Sequence, residues 1–161
     1  MIQLNKFPVH LKKLKKDDWD KLFNLIPKIQ SKTKFGKHVE SKKLPDGSNT
    51  FPCWNYAPIV IETVQMVEEL NLIVVFDWMN WEEGIDILAD NHFDFDKLDE
   101  IKLCQLLTCI IRLDRFSEGH LVKKFEDKTV LRIILSLHFK INHRKSDLTF
   151  LQYLKSYFLK E

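Results

Sequence analysis

Apolar residues recur at spacings of three and four along much of the chain, and these runs predict helices. After Asp17 or Asp18, either of which can cap a helix, Trp19, Leu22, Phe23 and Ile26 mark one face until Pro27 ends or kinks the element, which resumes to Gln30. From Ser31 to Ala57 no period is sustained. That stretch holds Gly36, Pro45-Asp46-Gly47-Ser48 and Pro52, turn chemistry that predicts a small hairpin within 33–57 or a long ordered loop. Pro58 suits the first turn of a helix, and Ile59, Thr63, Met66, Val67, Leu70 and Val74 follow on one face with Glu62, Gln65, Glu68 and Glu69 opposite. The β-branched tail Ile73-Val74-Val75-Phe76 also suits a short strand. Asn80 with Glu83 has capping-box spacing for a short helix carrying Trp81, Ile85, Leu88 and Ala89 and ending near Asn91.

Asp96 is placed to cap the longest helix, Lys97 to about Asp114, whose second half (Leu103, Leu106, Leu107, Cys109, Ile110, Ile111, Leu113) is apolar nearly all round and is therefore central. Ser117 can cap a short helix over Glu118–Phe125, Asp127 another through Leu131, Ile134, Leu135 and His138, and Ser146 a last one through Phe150, Leu151, Leu154 and Phe158. Six to seven helices without a repeat predict an all-α, irregular helical domain packed at crossed angles. The expected organisation is one domain over 1–161, with a basic N-terminal arm at 1–16, the loop or hairpin at 31–57, a helical core at 58–141 and a C-terminal helix at 146–160.

Composition supports a folded chain: 161 residues are 45% hydrophobic and 12% aromatic, which excludes low-complexity and wholly disordered readings. Cys53, Cys104 and Cys109 show no metal or disulfide pattern, which fits a reducing cytoplasm and no metal or other cofactor. No export signal is visible, and the longest strongly apolar run, Leu72–Phe76, is far short of the ~20 residues a membrane helix needs. The net charge of +2 hides a segregation. Residues 1–43 carry twelve lysines against four acids, residues 44–131 seven bases against seventeen acids, and residues 132–161 six bases against two acids.

On the central helix Lys102, Gln105, Thr108, Arg112 and Arg115 form one polar stripe, expected as its solvated face. Just beyond, the chain gathers Arg112, Asp114, Arg115, Glu118 and His120 around the helix end, with Gly119 keeping one position free of a side chain. Guanidinium forks bind carboxylates and phosphates in a planar, two-pronged manner, so the cluster suits an anion, or else structural ion pairs between helices. Glu118 and His120 are also candidate catalytic acid/base groups, although two residues apart on a helix they diverge. Trp78 and Trp81 share a face, either as core anchors with Asp77 as a cap or as the apolar wall of a pocket whose polar end is Arg112 and Arg115. His92, Asp94 and Asp96 alternate as potential metal ligands but read better as a capping turn. No phosphate-loop, dinucleotide, zinc-protease or nucleophile-elbow motif is present.

The run Leu106-Leu107-Thr108-Cys109-Ile110-Ile111-Arg112-Leu113-Asp114-Arg115-Phe116-Ser117-Glu118-Gly119-His120-Leu121 resembles the signature of domain-of-unknown-function family 6508, and Phe76-Asp77-Trp78-x-x-Trp81 resembles that family's second motif. The similarity covers about Tyr56 to Leu137. It departs at Asp127-Lys128, where the family often has small residues or Gly. The resemblance implies a small, mostly prokaryotic, intracellular protein with no assigned activity.

The leading expectation is a non-enzymatic binding or interaction protein with an anion-accepting site at the Arg112–His120 turn, taking a small anionic ligand or a protein partner; self-association is compatible with it. An enzyme, a hydrolase or transferase using Glu118 or His120, is the alternative from another class. A third is nucleic-acid binding through the lysine-rich N-terminal third, where Lys12, Lys13, Lys15, Lys16, Lys28, Lys32, Lys34, Lys37, Lys42 and Lys43 interleave with Phe35, Phe51 and Trp54.

Overall fold

The computed structural model describes residues 1–143. Its elements are β1 (Ile2–Gln3), α1 (Phe7–Lys13), α2 (Lys16–Phe23), α3 (Ile26–Gln30), β2 (Gly36–Val39), β3 (Cys53–Tyr56), α4 (Pro58–Glu69), β4 (Val74–Val75), α5 (Glu82–Ala89), α6 (Glu100–Leu113), α7 (His120–Glu126) and α8 (Thr129–His143). Single 3-10 turns precede α1 at Leu4–Lys6 and α6 at Phe95–Lys97. Helices dominate, as the periodicity predicts. The C-terminal helix expected at 146–160 lies outside the described residues.

The core is built on α6 and α8, whose Leu103, Leu106, Leu107, Ile110, Ile133, Ile134 and Leu137 are fully buried together. Phe125 of α7, Leu22 and Ile26 at the α2–α3 junction and Phe7 of α1 close around them. Phe7 makes the N-terminal segment part of the body: α1 docks through it, and His10 Nε2 donates to the Leu70 carbonyl at 2.8 Å. The lysines of that segment stay at the surface.

The expected hairpin is present. Strands β2 and β3 pair antiparallel from Gly36 opposite Tyr56 to Val39 opposite Cys53. Their long connection turns at Leu44–Ser48, where Asp46 accepts from both the amide and the hydroxyl of Ser48. Phe35, just before β2, is buried against Phe125 with ring centroids 5.3 Å apart and fixes the ribbon to the helical body.

Several boundaries differ from the periodicity. Helix α2 starts at Lys16, with Lys15 rather than Asp17 or Asp18 at its cap, and α7 starts at His120, with Gly119 rather than Ser117 before it. Helix α4 stops at Glu69 rather than continuing to Val74, because Asn71 takes a left-handed conformation (φ 52°). The Asn71 amide then donates to Glu68 O and the Leu72 amide to Val67 O, both at 2.9 Å, which is a complete Schellman ending with apolar Leu72 closing on Val67. The chain so released forms β4, parallel to β1, with Ile2 opposite Val74. The cap of α6 is Asp99, whose carboxylate accepts the Lys102 amide at 2.8 Å; Asp96 instead lies in the preceding 3-10 turn, capped by Asp94. Helix α5 starts at Glu82 without a side-chain cap, and Asn80 donates to Asp77 instead.

The polar stripe on α6 reaches solvent only toward its ends, at Lys102, Arg112 and Arg115. Gln105 and Thr108 are buried, and Thr108, wholly inaccessible, accepts the Val74 amide at 3.0 Å while donating to Cys104 O at 2.8 Å. A strand amide that faces a helix has no ladder partner, so a hydroxyl on that helix supplies one. Cations of α8 hold the 90–97 segment in a similar way. Arg132 donates to the carbonyls of Asn91 and Phe93, and Lys140 to Asp96 O at 2.7 Å and Asp96 Oδ1 at 3.3 Å. Asp94 and Asp96 are thus engaged in capping and ion pairing, and among the described residues no cluster of three metal-ligand side chains exists.

Candidate functional site

Helix α6 ends at Leu113 and α7 begins at His120, so the sequence cluster falls on one tight turn. Its fastener is Asp114, which accepts the Leu121 amide at 2.8 Å and the Tyr56 hydroxyl at 2.5 Å. Burial, then the Asp114 carboxylate, push the Tyr56 phenol up to about 12, so it remains a donor. Gly119 makes the turn close. Its φ is +84°, and a Cβ there would fall 2.5 Å from the Trp54 indole, so both the backbone and the packing require glycine. Strand β3 therefore clamps the turn twice, through Tyr56 and through Trp54.

Asp114 faces the hairpin, and Arg112 and Arg115 are left without it. Among the described residues the Arg112 guanidinium donates only to the Met1 sulfur, a weak acceptor, at 3.1 Å, and neither arginine forms an ion pair. Both line a cleft of about 400 Å³ with Met1, Glu68, Ile73, Trp78, Ile111 and Phe116. Among the described residues Glu68 is the one carboxylate of that lining, and it is paired with neither arginine.

Trp78 and Phe116, ring centroids 6.0 Å apart and tilted by 38°, also border a second cleft of about 480 Å³. Its lining is mostly apolar: Met79, Ile85, Leu88, Ala89, Cys109 and Leu113, together with His120 and Lys124. The two clefts thus share an aromatic wall. A larger hollow of about 1000 Å³ runs between α1, α2, α6 and α8 to Ile141 and Asn142, at the edge of the described residues, and no site is assigned there.

The remaining sequence candidates scatter. His120 borders the apolar cleft, and its Nε2 is buried with no hydrogen-bond partner among the described residues. Burial, then the nearby Lys124 cation, lower its pKa and keep the ring neutral. Glu118 is exposed and lines neither cleft, so it does not join His120 there as an acid/base pair; the carboxylates that act on the ring are Asp114 and Asp127. Asp77 accepts from Asn80, and Trp81 packs edge-on against Phe76 and over Gly84, where a Cβ would lie 2.2 Å from its ring. Trp81 is therefore a helix-start anchor, whereas Trp78 belongs to the clefts. The Cys109 thiol is pushed up to about 11 by burial, which makes it a poor nucleophile beside the apolar cleft.

Among known protein families, residues 14–143 match the model of a family of unknown function, DUF6508. The chain belongs to the DUF6508 family. The match is wider than the Tyr56–Leu137 span carried by the motifs, and it takes in the hairpin as well as the turn. No curated protein and no solved structure matches the chain. Membership of DUF6508 fixes relatedness and carries no activity with it. No described helix is long and apolar enough to cross a membrane.

Sequence reasoning missed Tyr56, Trp54, Phe116, Ile111, Glu68 and Met1. Tyr56 is 58 residues from Asp114, and no spacing rule links a strand residue to a turn that distant. Phe116 lies inside the charged string and had a signal: an aromatic residue between Arg115 and Ser117, at a helix end, has nothing to bury itself in locally.

Proposed function

We propose that this protein is a binding protein that accepts the anionic group of a small molecule between Arg112 and Arg115, against Trp78 and Phe116. One observation carries the reading: two guanidinium groups line a concave, aromatic-walled cleft and have no carboxylate partner among the described residues. Unpaired cations beside an indole are what a carboxylate or phosphate requires, since charge-assisted bonds to arginine are short, directional and two-pronged. The alternative use of the same charges, structural ion pairing, would have consumed them on Asp77, Asp114 or Glu118. Those acids are engaged elsewhere or exposed.

Thermal denaturation with inorganic phosphate and with benzoate tests the reading, because a ligand that binds only the folded state raises its apparent stability. The wild type is expected to gain a saturable stabilisation from at least one of them. Arg112→Gln and Arg115→Gln are each expected to weaken it about tenfold or more, the worth of a hydrogen bond to a charged group. Equal stabilisation of the wild type and both variants, or none of either, rejects the site.

A further inference from the structure

We propose, building on the anion-accepting reading above, that the ligand is an amphipathic carboxylate whose head sits on Arg112 and Arg115 and whose alkyl or aryl tail crosses the Trp78–Phe116 wall into the apolar cleft. The juxtaposition rests on two residues that belong to both clefts, Trp78 and Phe116. On one side of this wall are the guanidiniums, unpaired among the described residues; on the other the lining is Met79, Ile85, Leu88, Ala89 and Leu113. Successive residues of a helix point about 100° apart, so Arg112 and Leu113 aim the two chemistries to either side of one short stretch of α6.

The apolar side also carries an unexplained exposure. Met79, Ile85 and Phe116 are 64%, 55% and 74% exposed, and all three lie around this one cleft. Large apolar side chains left in water singly are ordinary, but three at the rim of one concavity mark a surface that a partner covers. Charge complementarity selects the occupant: a purely apolar ligand would leave the adjacent arginines unused, and a bare anion would leave the apolar cleft wet. Volumes of about 400 and 480 Å³ suit one small molecule held in concavities rather than a flat lipid surface. His120 and Lys124, whose ammonium donates to Leu88 O at 2.7 Å, are the polar residues of that lining.

The experiment is calorimetric titration with acetate, butyrate, hexanoate and octanoate, with 1-octanol as the headless control, all below micelle-forming concentrations. Affinity is expected to rise about fourfold per added methylene until the cleft is filled, the factor that burial of one methylene supplies. Octanol should bind at least tenfold more weakly than octanoate. Ile85→Gln and Met79→Gln, both at exposed positions, should flatten the dependence on tail length and leave the short carboxylates unchanged. Arg112→Gln should bring octanoate down to the level of octanol.

Carboxylate binding that ignores tail length overturns the amphipathic ligand but leaves the anion site standing. Octanol and octanoate binding equally well overturns both. If none of the series binds, the amphipathic ligand is rejected, and the phosphate and benzoate measurement decides the anion site by itself. Co-sedimentation with phosphatidylglycerol vesicles, without binding of free octanoate, overturns the proposal in favour of a membrane surface.

Discussion

His120 illustrates how a single residue changes meaning once its surroundings are known. In the sequence it neighbours Glu118 and suggests acid/base chemistry; in the fold its Nε2 is buried, its ring is kept neutral by burial and by Lys124, and Glu118 is in solvent. The consequence is a pH dependence of stability. An unfolded histidine takes up its proton near its ordinary value of about 6.5, whereas the folded one resists until the pH is lower. Between those two points the unfolded state binds more protons, so the contribution present at neutral pH is lost as pH falls. Urea denaturation at about pH 7 and about pH 5 is expected to show a larger loss for the wild type than for His120→Gln. Equal losses would mean that His120 protonates as freely in the fold as out of it. Asp114 shows the reverse. It was legible as part of a charged cluster, but its partners, the Tyr56 hydroxyl and the Leu121 amide, make it the fastener of the turn.

Among elements, the short strand β4 depends on a helix. Val74 pairs with Ile2 of β1, and its amide turns the other way, to the Thr108 hydroxyl of α6. Thr108→Val keeps the shape but removes that acceptor, leaving a buried amide unsatisfied at a cost of about 1–3 kcal/mol. A lowered urea midpoint together with faster hydrogen exchange at the Val74 amide is the expected result; unchanged exchange would show that β4 needs no such tether. Element types were legible where the apolar spacing was sustained, as in α2, α4, α6 and α8. Their ends were less so. The stop of α4 turns on Asn71 adopting φ 52°, and a left-handed asparagine is written in the sequence only as an asparagine. Asp96 and Asp99 are equally good caps by type, and Asp99 serves because Phe95 and Leu98 are both buried by the 3-10 turn that precedes α6.

At the scale of the molecule, the β2–β3 ribbon is packed on the helical body through Phe35, which lies on Phe125, and through the clamp of Trp54 and Tyr56 on the α6–α7 turn. Phe35→Ala is expected to cost about 3–5 kcal/mol, a large part of the 5–15 kcal/mol that holds a typical domain. It should lower the single thermal transition of the whole chain; a separate early transition would mark the ribbon as an independent unit. Charge segregation acts at this scale as well: the lysines of the N-terminal third stay on the surface of α1, α2 and the ribbon, while both cleft arginines sit in the acidic middle of the chain. The sequence by itself determined the helical class, the central place of α6, the hairpin and the string from Arg112 to His120, because periodicity, turn chemistry and composition act over a few residues. Only the tertiary structure decided which charges remain unpaired among the described residues and which aromatics form a wall. Asp114 turns to a tyrosine from a distant strand, Trp78 meets Phe116, and Trp81 does not, and these choices depend on packing between segments that no local spacing connects.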